Sequence, residues 1–471
     1  MSDDLRQITD LIQAAGEKAR CETKDAPDPA VTRSVEWPLT CTVGPGLEGA
    51  IACESKIGYV NGTKGWLIYR GYDIFDLCAH STYEEVSYLL MYGALPSSSQ
   101  LAAYKKRLVG YRLLNKTLRM LMGFEVESMN AMSALRLGTN LMRQEFTYAD
   151  QEKGKPGTGD AISSDEDSIP METVPRGEQK AIYEFNRPVI AEREAGDQQL
   201  QDPSGLEACL HILSGVATIT AAIGRVRQNR MPIEPDPELG HAANLLYMLS
   251  GRRPSPLEER VMDVALILHA DHGMNASTFA TLVVASTLSD IYLSVGAGIA
   301  ALHGPLHGGA NEEVIRTLMK IGEAKQVRSW LDEVLARKGR IPGFGHRVYK
   351  AYDPRARILG PLAQFLVEQK RRDKKPLFDI AQDLEKEMSA RLGAEKKIFP
   401  NVDFFSGIVY SCLDIAPDMF TTMFAVSRTA GWTARVMEYL QHNRIFRPRA
   451  MYIGEFNNTY VPIDSRSGSV T

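Results

Sequence analysis

Several common functional signals are absent from this sequence of 471 residues. Its six cysteines are scattered and form no C-x-x-C pair, which argues against a zinc ribbon and a dithiol redox motif. No run of about 18 consecutive apolar residues predicts a membrane-spanning helix. Neither a G-x-x-x-x-G-K-[ST] phosphate loop nor a G-x-S-x-G nucleophile elbow occurs, so nucleotide hydrolysis and α/β-hydrolase chemistry have no support.

An excess of charge of one sign is also absent. The chain has 54 Lys and Arg against 58 Asp and Glu, and this net charge of −4 gives no reason to expect nucleic acid or an anionic membrane surface as a partner. The N-terminal region lacks the apolar core of a secretory signal, and its acidic residues argue against a transit peptide. We therefore expect a cytoplasmic location and reduced thiols.

Strand signals are scarce. Only residues 50–70, rich in β-branched and aromatic residues around Asn61-Gly62, predict a β-hairpin. Elsewhere apolar residues recur at spacings of three and four, which predicts a mainly helical protein. The predicted helices span 82–95, 100–122, 128–143, 206–228, 240–250, 256–270, 276–302, 310–321, 354–371, 377–391, 403–413 and 418–440.

Two polar stretches interrupt this pattern. Residues 1–40 are predicted to be an N-terminal arm of uncertain order, with one short amphipathic candidate around Ile8 and Ile12. Residues 144–204 form a polar insert with an acidic, hydroxyl-bearing cluster at 163–167. The insert is either an inert loop extension or a docking or regulatory segment.

Five of the nine histidines fall between residues 269 and 346. His269 and His272 are three residues apart, and could share a helix face as a metal pair or simply make local hydrogen bonds. Because there is no H-E-x-x-H motif and no evident third ligand, we predict no metal site. His307 precedes a helix, where a neutral imidazole could donate to a carbonyl oxygen or cap a turn. His346 lies in a glycine-rich loop with cations nearby, which suits either a multiply anionic ligand or a surface turn.

Three further residues carry unusual contexts. Asp403 is bracketed by aromatic residues and is a candidate base, although it could be a helix N-cap. Arg428 lies inside an apolar helix, so it must be paired with a carboxylate or bind an anion. Arg447, before a proline, is a weaker candidate. Together, neutral histidine donors, a carboxylate base and arginines favour carbon–carbon bond formation next to a carbonyl with a polycarboxylate substrate.

These segments resemble the citrate synthase family. The resemblance covers about 43–143 and 205–463, and several separated motifs occur in the family's order. They are Gly71-Tyr72-Asp73, His269-Ala-Asp-His272-Gly-Met-Asn-Ala-Ser-Thr278, Gly304-Pro-Leu-His307-Gly-Gly-Ala-Asn311, Gly343-Phe-Gly-His346-Arg-Val-Tyr349, Asp353-Pro-Arg355, Asn401-Val-Asp403 and Ser427-Arg428.

The resemblance implies a role for each matched residue. Asp403 would be the general base, His307 would stabilise the enol or enolate of the thioester, and His346 would polarise and then protonate the oxaloacetate ketone. The oxaloacetate-binding residues would be His272, Arg355, Arg428 and, from a partner subunit, Arg447. The coenzyme A contacts would be Gly343, Gly345, Arg347, Lys350 and Lys396.

The same resemblance implies a mainly α, two-domain fold. The large domain would comprise 41–308 and 415–471, and the small domain, 309–414, would close on it. The reaction would join acetyl-CoA to oxaloacetate and hydrolyse citryl-CoA, the entry step of the tricarboxylic acid cycle. The coenzyme A thioester would be a co-substrate with no tightly bound cofactor, and the active form would be a homodimer or larger. The alternatives are 2-methylcitrate synthase, which uses propionyl-CoA, and a non-catalytic scaffold; Asp271-His272-Gly273 and Arg347 favour citrate.

Overall fold

The structure is a computed structural model that describes residues 3–27, 34, 36–145, 203–393 and 396–466. The insert predicted at 144–204 lies outside these residues except at its two ends. The strands are β1 (Gly58–Asn61), β2 (Trp66–Tyr69) and β3 (Tyr72–Asp73). The helices of the first half are α1 (Asp3–Glu22), α2 (Ile74–His80), α3 (Tyr83–Tyr92), α4 (Ser98–Gly110), α5 (Asn115–Leu121), α6 (Ala131–Leu141), α7 (Pro203–Val226) and α8 (His241–Ser250). Those of the second half are α9 (Pro256–His269), α10 (Ala276–Ser286), α11 (Ile291–Leu302), α12 (Ala310–Ile321), α13 (Val327–Ala336), α14 (Pro354–Gln369), α15 (Lys375–Met388), α16 (Val402–Cys412) and α17 (Phe420–Leu440).

The three strands form one small antiparallel sheet in the order β1-β2-β3. Gly58 pairs with Tyr69 and Asn61 with Trp66, so the turn of the first hairpin follows Asn61. This is where the Asn-Gly dipeptide predicts it. The prediction of a mainly helical fold with a small N-terminal hairpin is confirmed.

Helix α17 is the centre of the larger group of helices. It is buried from Phe420 to Val436 and packs against α3, α7, α9, α10 and α11. Within the described residues, α7 alone is long and apolar enough by composition to cross a membrane, yet 89% of its apolar window is buried. It packs against α6, α8 and α17, as a core helix does.

A second group of helices packs around α16, every residue of which is buried. Helices α12, α14 and α15 contact α16, and α13 packs on α15. The two groups meet where α12 touches α17 and α14 touches α9. The division into large and small domains at residues 309 and 414 stays a prediction.

The N-terminal arm is more regular than the sequence indicates. Instead of a short amphipathic piece, α1 is a helix of 20 residues that packs against α2, α9 and α14. Ile8 and Ile12 are buried as their spacing predicts, and the buried face continues through Ala15 and Ala19. Small residues allow close packing of helices but give a weak hydrophobic signal. The apolar pattern of the sequence therefore ends before the buried face of the helix does.

Two long predicted helices are each divided in two. The predicted helix 276–302 is interrupted between α10 and α11, where Leu288 adopts a φ of 63°. Asp290 then caps α11, because its Oδ1 accepts the N–H of Leu293 at 3.0 Å. The predicted helix 100–122 divides similarly into α4 and α5, and α13 was not predicted. Continuous apolar periodicity therefore does not reveal a break that a local cap creates.

Candidate active site

The candidate residues come together where the two groups of helices meet. They come from the turn after α9 (His272), the turn before α12 (His307), the loop before α14 and its first turn (His346 and Arg355), the start of α16 (Asp403) and the middle of α17 (Arg428). Burial holds the pKa of His272 well below its usual value, and the positive charges of Arg355 and Arg428 lower it further. The site where these residues meet is therefore largely shielded from solvent.

Three rings pack against one another in this site: those of His272, His346 and Tyr349. His272 Nε2 lies 3.2 Å from the hydroxyl of Tyr349. The ring of His346 meets that of His272 edge-on, with centroids 5.2 Å apart. Tyr349 is buried, and burial raises the pKa of its hydroxyl well above the usual value. The hydroxyl therefore stays protonated and fixes the position of His272.

The tautomer of His346 is determined by its own loop. Nδ1 accepts the N–H groups of Val348 at 3.0 Å and Tyr349 at 3.1 Å. Because a backbone N–H can only donate, Nδ1 carries the lone pair and the proton of the neutral ring is on Nε2. Burial, and then the charge of Arg355, lowers the pKa of His346 to about 4. At neutral pH His346 is an uncharged donor through Nε2.

The tautomer of His307 is the opposite one. Its Nε2 accepts the N–H of Ser277 at 3.2 Å and lies 2.9 Å from Ser277 Oγ. Ser277 is itself held at the start of α10 by Asn275, whose Oδ1 accepts the same N–H at 3.1 Å. Burial, and then Arg428, lowers the pKa of His307 to about 4. His307 is thus neutral and presents the N–H of Nδ1.

Asp403 is a buried carboxylate with an unsatisfied oxygen. Its backbone N–H donates to the N-cap residue Asn401 at 3.0 Å, so the alternative role of N-cap belongs to Asn401. Asp403 Oδ1 has no hydrogen-bond partner among the described residues. Burial raises the pKa of the carboxyl to about 7, against the opposing charge of Arg355. A carboxylate with this pKa is a base suited to neutral pH.

Arg355 is fixed by a two-point ion pair. Its Nε donates to Asp353 Oδ1 at 3.0 Å and its Nη2 to Oδ2 at 2.8 Å, with both residues buried. Asp353 also caps α14 by accepting the backbone N–H of Arg355 at 3.0 Å. The guanidinium is therefore held rigidly, and its Nη1 takes no part in the ion pair with Asp353.

Arg428 has no such partner. Only 1% of it is exposed, and its Nε donates to the carbonyl oxygen of His269 at 2.5 Å. Its guanidinium also lies 4.8 Å from the ring of Phe424. Among the described residues no carboxylate forms an ion pair with it, and burial lowers its pKa to about 10. A carboxylate partner for Arg428 therefore has no support in the described residues, and anion binding by Arg428 stays a prediction.

A second buried ion pair supports the turn that carries His272. Arg435 donates from Nε to Asp271 Oδ1 at 2.7 Å and from Nη2 to Oδ2 at 2.8 Å. Asp271 Oδ2 also accepts the N–H of Gly273 at 3.0 Å. The carboxylate thus anchors both sides of His272 to α17.

The glycine-rich loop is joined to the start of α16. Gly343 and Gly345 both have a φ of 80°, which favours glycine. The carbonyl of Gly343 accepts the N–H of Asn401 at 2.9 Å, and a side chain at 343 would press on Phe404. The predicted coenzyme A contacts with charged side chains are all exposed: Arg347, Lys350 and Lys396.

Arg447 is not one of the buried residues of this site. It is exposed, in the irregular segment that follows α17. The prediction that it acts from a partner subunit stays a prediction.

Sequence reasoning missed several supporting residues. Ser277, Tyr349 and Asp353 lie inside the matched motifs, but no role was predicted for them. Arg435 lies seven residues after Arg428 and is, like it, a charged residue in an apolar helix. The reasoning that singled out Arg428 could therefore have identified Arg435 as well.

His269 is fully buried and its Nδ1 bonds the carbonyl of Ala265 at 2.7 Å. The described residues contain no group of three or more His, Cys, Asp or Glu that could hold a metal ion.

This chain is similar in sequence to known enzymes. A family model described as citrate synthase, C-terminal domain, matches residues 46–449. Citrate synthase of Acidithiobacillus ferridurans is 38% identical over 428 residues, which cover 90% of this chain and 98% of that protein. Citrate synthase of Synechocystis is 39% identical over 426 residues, with 90% and 94% covered.

Solved structures of citrate synthases are also similar to this chain. Citrate synthase from Pyrobaculum aerophilum matches with a TM-score of 0.74 and 36% identity, over 93% of this chain and all of that one. Citrate synthase from Thermoplasma acidophilum, in a ternary complex with carboxymethyl-coenzyme A and oxaloacetate, matches with a TM-score of 0.73 and 31% identity, over 91% of this chain and all of that one.

Proposed function

The chain belongs to the citrate synthase family, and we propose a role in its reaction for each clustered residue. The protein is an enzyme that condenses acetyl-CoA with oxaloacetate and hydrolyses the resulting citryl-CoA to citrate and CoA. The non-catalytic scaffold is thereby excluded. The relatives' names favour citrate over 2-methylcitrate.

Asp403 removes a proton from the methyl group of acetyl-CoA. Burial supports this role, because it gives the carboxylate a proton affinity suited to neutral pH. Its Oδ1, without a partner in the described chain, is available to the methyl group.

The two neutral histidines act on the two carbonyl groups. His307 donates from Nδ1 to the thioester oxygen, where negative charge develops as the enolate forms. His346 donates from Nε2 to the ketone of oxaloacetate and then gives that proton to the new alkoxide. The opposite tautomers support this assignment, since each ring keeps one proton for the cavity.

The arginines hold the carboxylates of oxaloacetate. Arg428 is the observation that carries the proposal, because its buried guanidinium forms no ion pair with a carboxylate of the described residues. A bound anion would offset the cost of burying this charge. Arg355 and His272 complete the oxaloacetate site. Coenzyme A is then contacted by the backbone at Gly343 and Gly345 and by three exposed cations: Arg347, Lys350 and Lys396.

The active form is a homodimer or larger, in which Arg447 enters the partner's cavity. The segment after α17 supports this, because it exposes large apolar side chains that a second subunit would cover; Met451 and Ile453 are 89% and 91% exposed. We also propose a cytoplasmic enzyme that supplies the tricarboxylic acid cycle with citrate.

The experiment is a steady-state assay with oxaloacetate and either acetyl-CoA or propionyl-CoA. We expect a higher kcat/KM for acetyl-CoA, by a factor on the order of 10–100, because one methylene in a pocket is worth about 1–3 kcal/mol. A higher kcat/KM for propionyl-CoA would overturn the substrate assignment. Light scattering after size exclusion tests the oligomer, and a monomer that is fully active would overturn the role of Arg447.

A further inference from the structure

The turn of the β1–β2 hairpin touches the loop that carries His346. The carbonyl oxygen of Gly62 accepts two N–H groups from that loop, from Lys350 at 2.9 Å and from Ala351 at 3.1 Å. The sequence separates Gly62 from this loop by more than 280 residues. It is a tertiary contact between the hairpin, in the predicted large domain, and the predicted small domain.

The contact leaves no room for a side chain at position 62. A Cβ placed on Gly62 would overlap the carbonyl oxygen of Val348 and lie 3.3 Å from the nitrogen of Tyr349. The φ of Gly62 is not left-handed, in contrast to Gly65 in the same turn at 63°. Alanine is therefore compatible with the hairpin itself, and is excluded only by the loop packed on it.

The same loop segment determines the state of two site histidines. The N–H groups of Val348 and Tyr349 donate to His346 Nδ1, and the Tyr349 hydroxyl contacts His272. The backbone at 348–351 thus donates two N–H groups to Gly62 and two to His346.

We propose that Gly62 is a positioning residue for the condensation, which clamps the segment 348–351 and thereby keeps His346 oriented as a donor through Nε2. This hairpin clamp, Gly62 with the N–H groups of Lys350 and Ala351, rests on the proposed role of His346. It acts through the loop, and Gly62 does not touch the substrate.

The test is Gly62→Ala, with Gly110→Ala as the matched control because a Cβ at Gly110 meets nothing within 4 Å. We expect Gly62→Ala to lower kcat/KM for oxaloacetate by a factor on the order of 10–100, the effect of forcing a methyl group into packed backbone. The kcat should fall as well, since His346 acts in the chemical step. With its Nδ1 donors loosened, His346 should protonate more easily, so activity should fall more steeply below pH 6 than in the wild type. Gly110→Ala should behave as the wild type.

Hydrogen–deuterium exchange of peptides covering 347–353 gives a readout independent of the reaction. The wild-type amides of Lys350 and Ala351 should be protected, and Gly62→Ala should remove the protection while the far-UV circular dichroism remains unchanged. Unprotected wild-type amides would overturn the clamp, and unchanged kinetics in Gly62→Ala would overturn its role in positioning. If the wild type made no citrate while these amides were protected, the proposed function would fail and the contact would stand.

Discussion

Arg428 and Arg435 lie two turns apart on α17, both almost fully buried, and only Arg435 is paired with a carboxylate among the described residues. Asp271 neutralises Arg435 through two hydrogen bonds, while Arg428 has the carbonyl oxygen of His269. The same residue type in the same helix thus forms a buried ion pair at one position and, in our proposal, binds the substrate at the other. The positive charge of Arg428 lowers the pKa of both His272 and His307, so its guanidinium lies close to these two rings.

This difference predicts opposite effects on stability. Arg428→Met should raise the melting temperature of the ligand-free protein, because it removes a charge whose burial is disfavoured despite the attraction of Asp271 and which forms no ion pair with a described residue. It should also lower kcat/KM for oxaloacetate by at least about 100-fold. Arg435→Met should lower the free energy of unfolding by about 3–5 kcal/mol, because it leaves Asp271 buried and unpaired. Calorimetry and steady-state kinetics measure both. A destabilised Arg428→Met would show that Arg428 is a structural residue.

Asp403→Asn removes the proposed base and keeps its shape. We expect kcat to fall by a factor of about 10²–10⁴ with the far-UV circular dichroism unchanged. In the wild type, kcat/KM should decrease as the pH falls below about 7, where burial places the pKa of Asp403. Coenzyme A release, followed with a thiol reagent, reports turnover. Retained activity would refute the assignment.

The same substitution should alter the pH dependence of stability. The pKa of Asp403 is about 7 in the folded protein and near 3.8 in the unfolded chain. Between these values the native state holds a proton that the unfolded state has lost, so this residue's contribution to stability decreases as the pH rises. The advantage of Asp403→Asn over the wild type in free energy of unfolding should therefore be about 4 kcal/mol larger at pH 8 than at pH 4. Urea unfolding at the two pH values measures the difference; a gain that shrinks with pH would contradict the buried, raised pKa.

Ser277→Ala tests how His307 is held. The substitution removes the hydroxyl at 2.9 Å from Nε2 and keeps the N–H, so His307 should lose orientation but keep its tautomer. We expect kcat to fall by roughly 3- to 30-fold with little change in the KM for oxaloacetate. Ser294→Ala is the control, because within the part of the chain that the structure describes its buried hydroxyl bonds only the carbonyl of Asp290, at 2.9 Å. Equal effects of the two variants would mean that the Ser277 hydroxyl does not act on His307.

Mixing two inactive variants tests the partner's Arg447. If it serves the other subunit, a heterodimer of Asp403→Asn and Arg447→Ala contains one intact site. Random reassociation after unfolding should then recover about a quarter of wild-type activity. Each variant refolded alone is the control. No recovery from a mixture shown by mass spectrometry to contain heterodimers would place Arg447 in the site of its own chain.

Local patterns predicted much of the fold. Apolar spacing located most helices because helical periodicity is a property of neighbouring residues. It failed where a local cap interrupts an apolar run, as Asp290 does, and where the buried face is made of small residues, as in α1. The chemical types in the site, a carboxylate among aromatics and an arginine in an apolar helix, were also visible in the sequence.

By itself the sequence indicated the candidate reactive and binding groups: Asp403, His307, His346 and Arg428 stand out through their immediate neighbours. Only the tertiary structure decided their states. His307 keeps its Nδ1 proton because Ser277, 30 residues earlier, donates to the other nitrogen. Among the described residues Asp271 forms its ion pair with Arg435 and not with Arg428, which is why we propose Arg428 for anion binding. The protonation state, the tautomer and the ion pairing of a side chain depend on the groups within a few ångströms of it. In this site those groups come from distant parts of the chain.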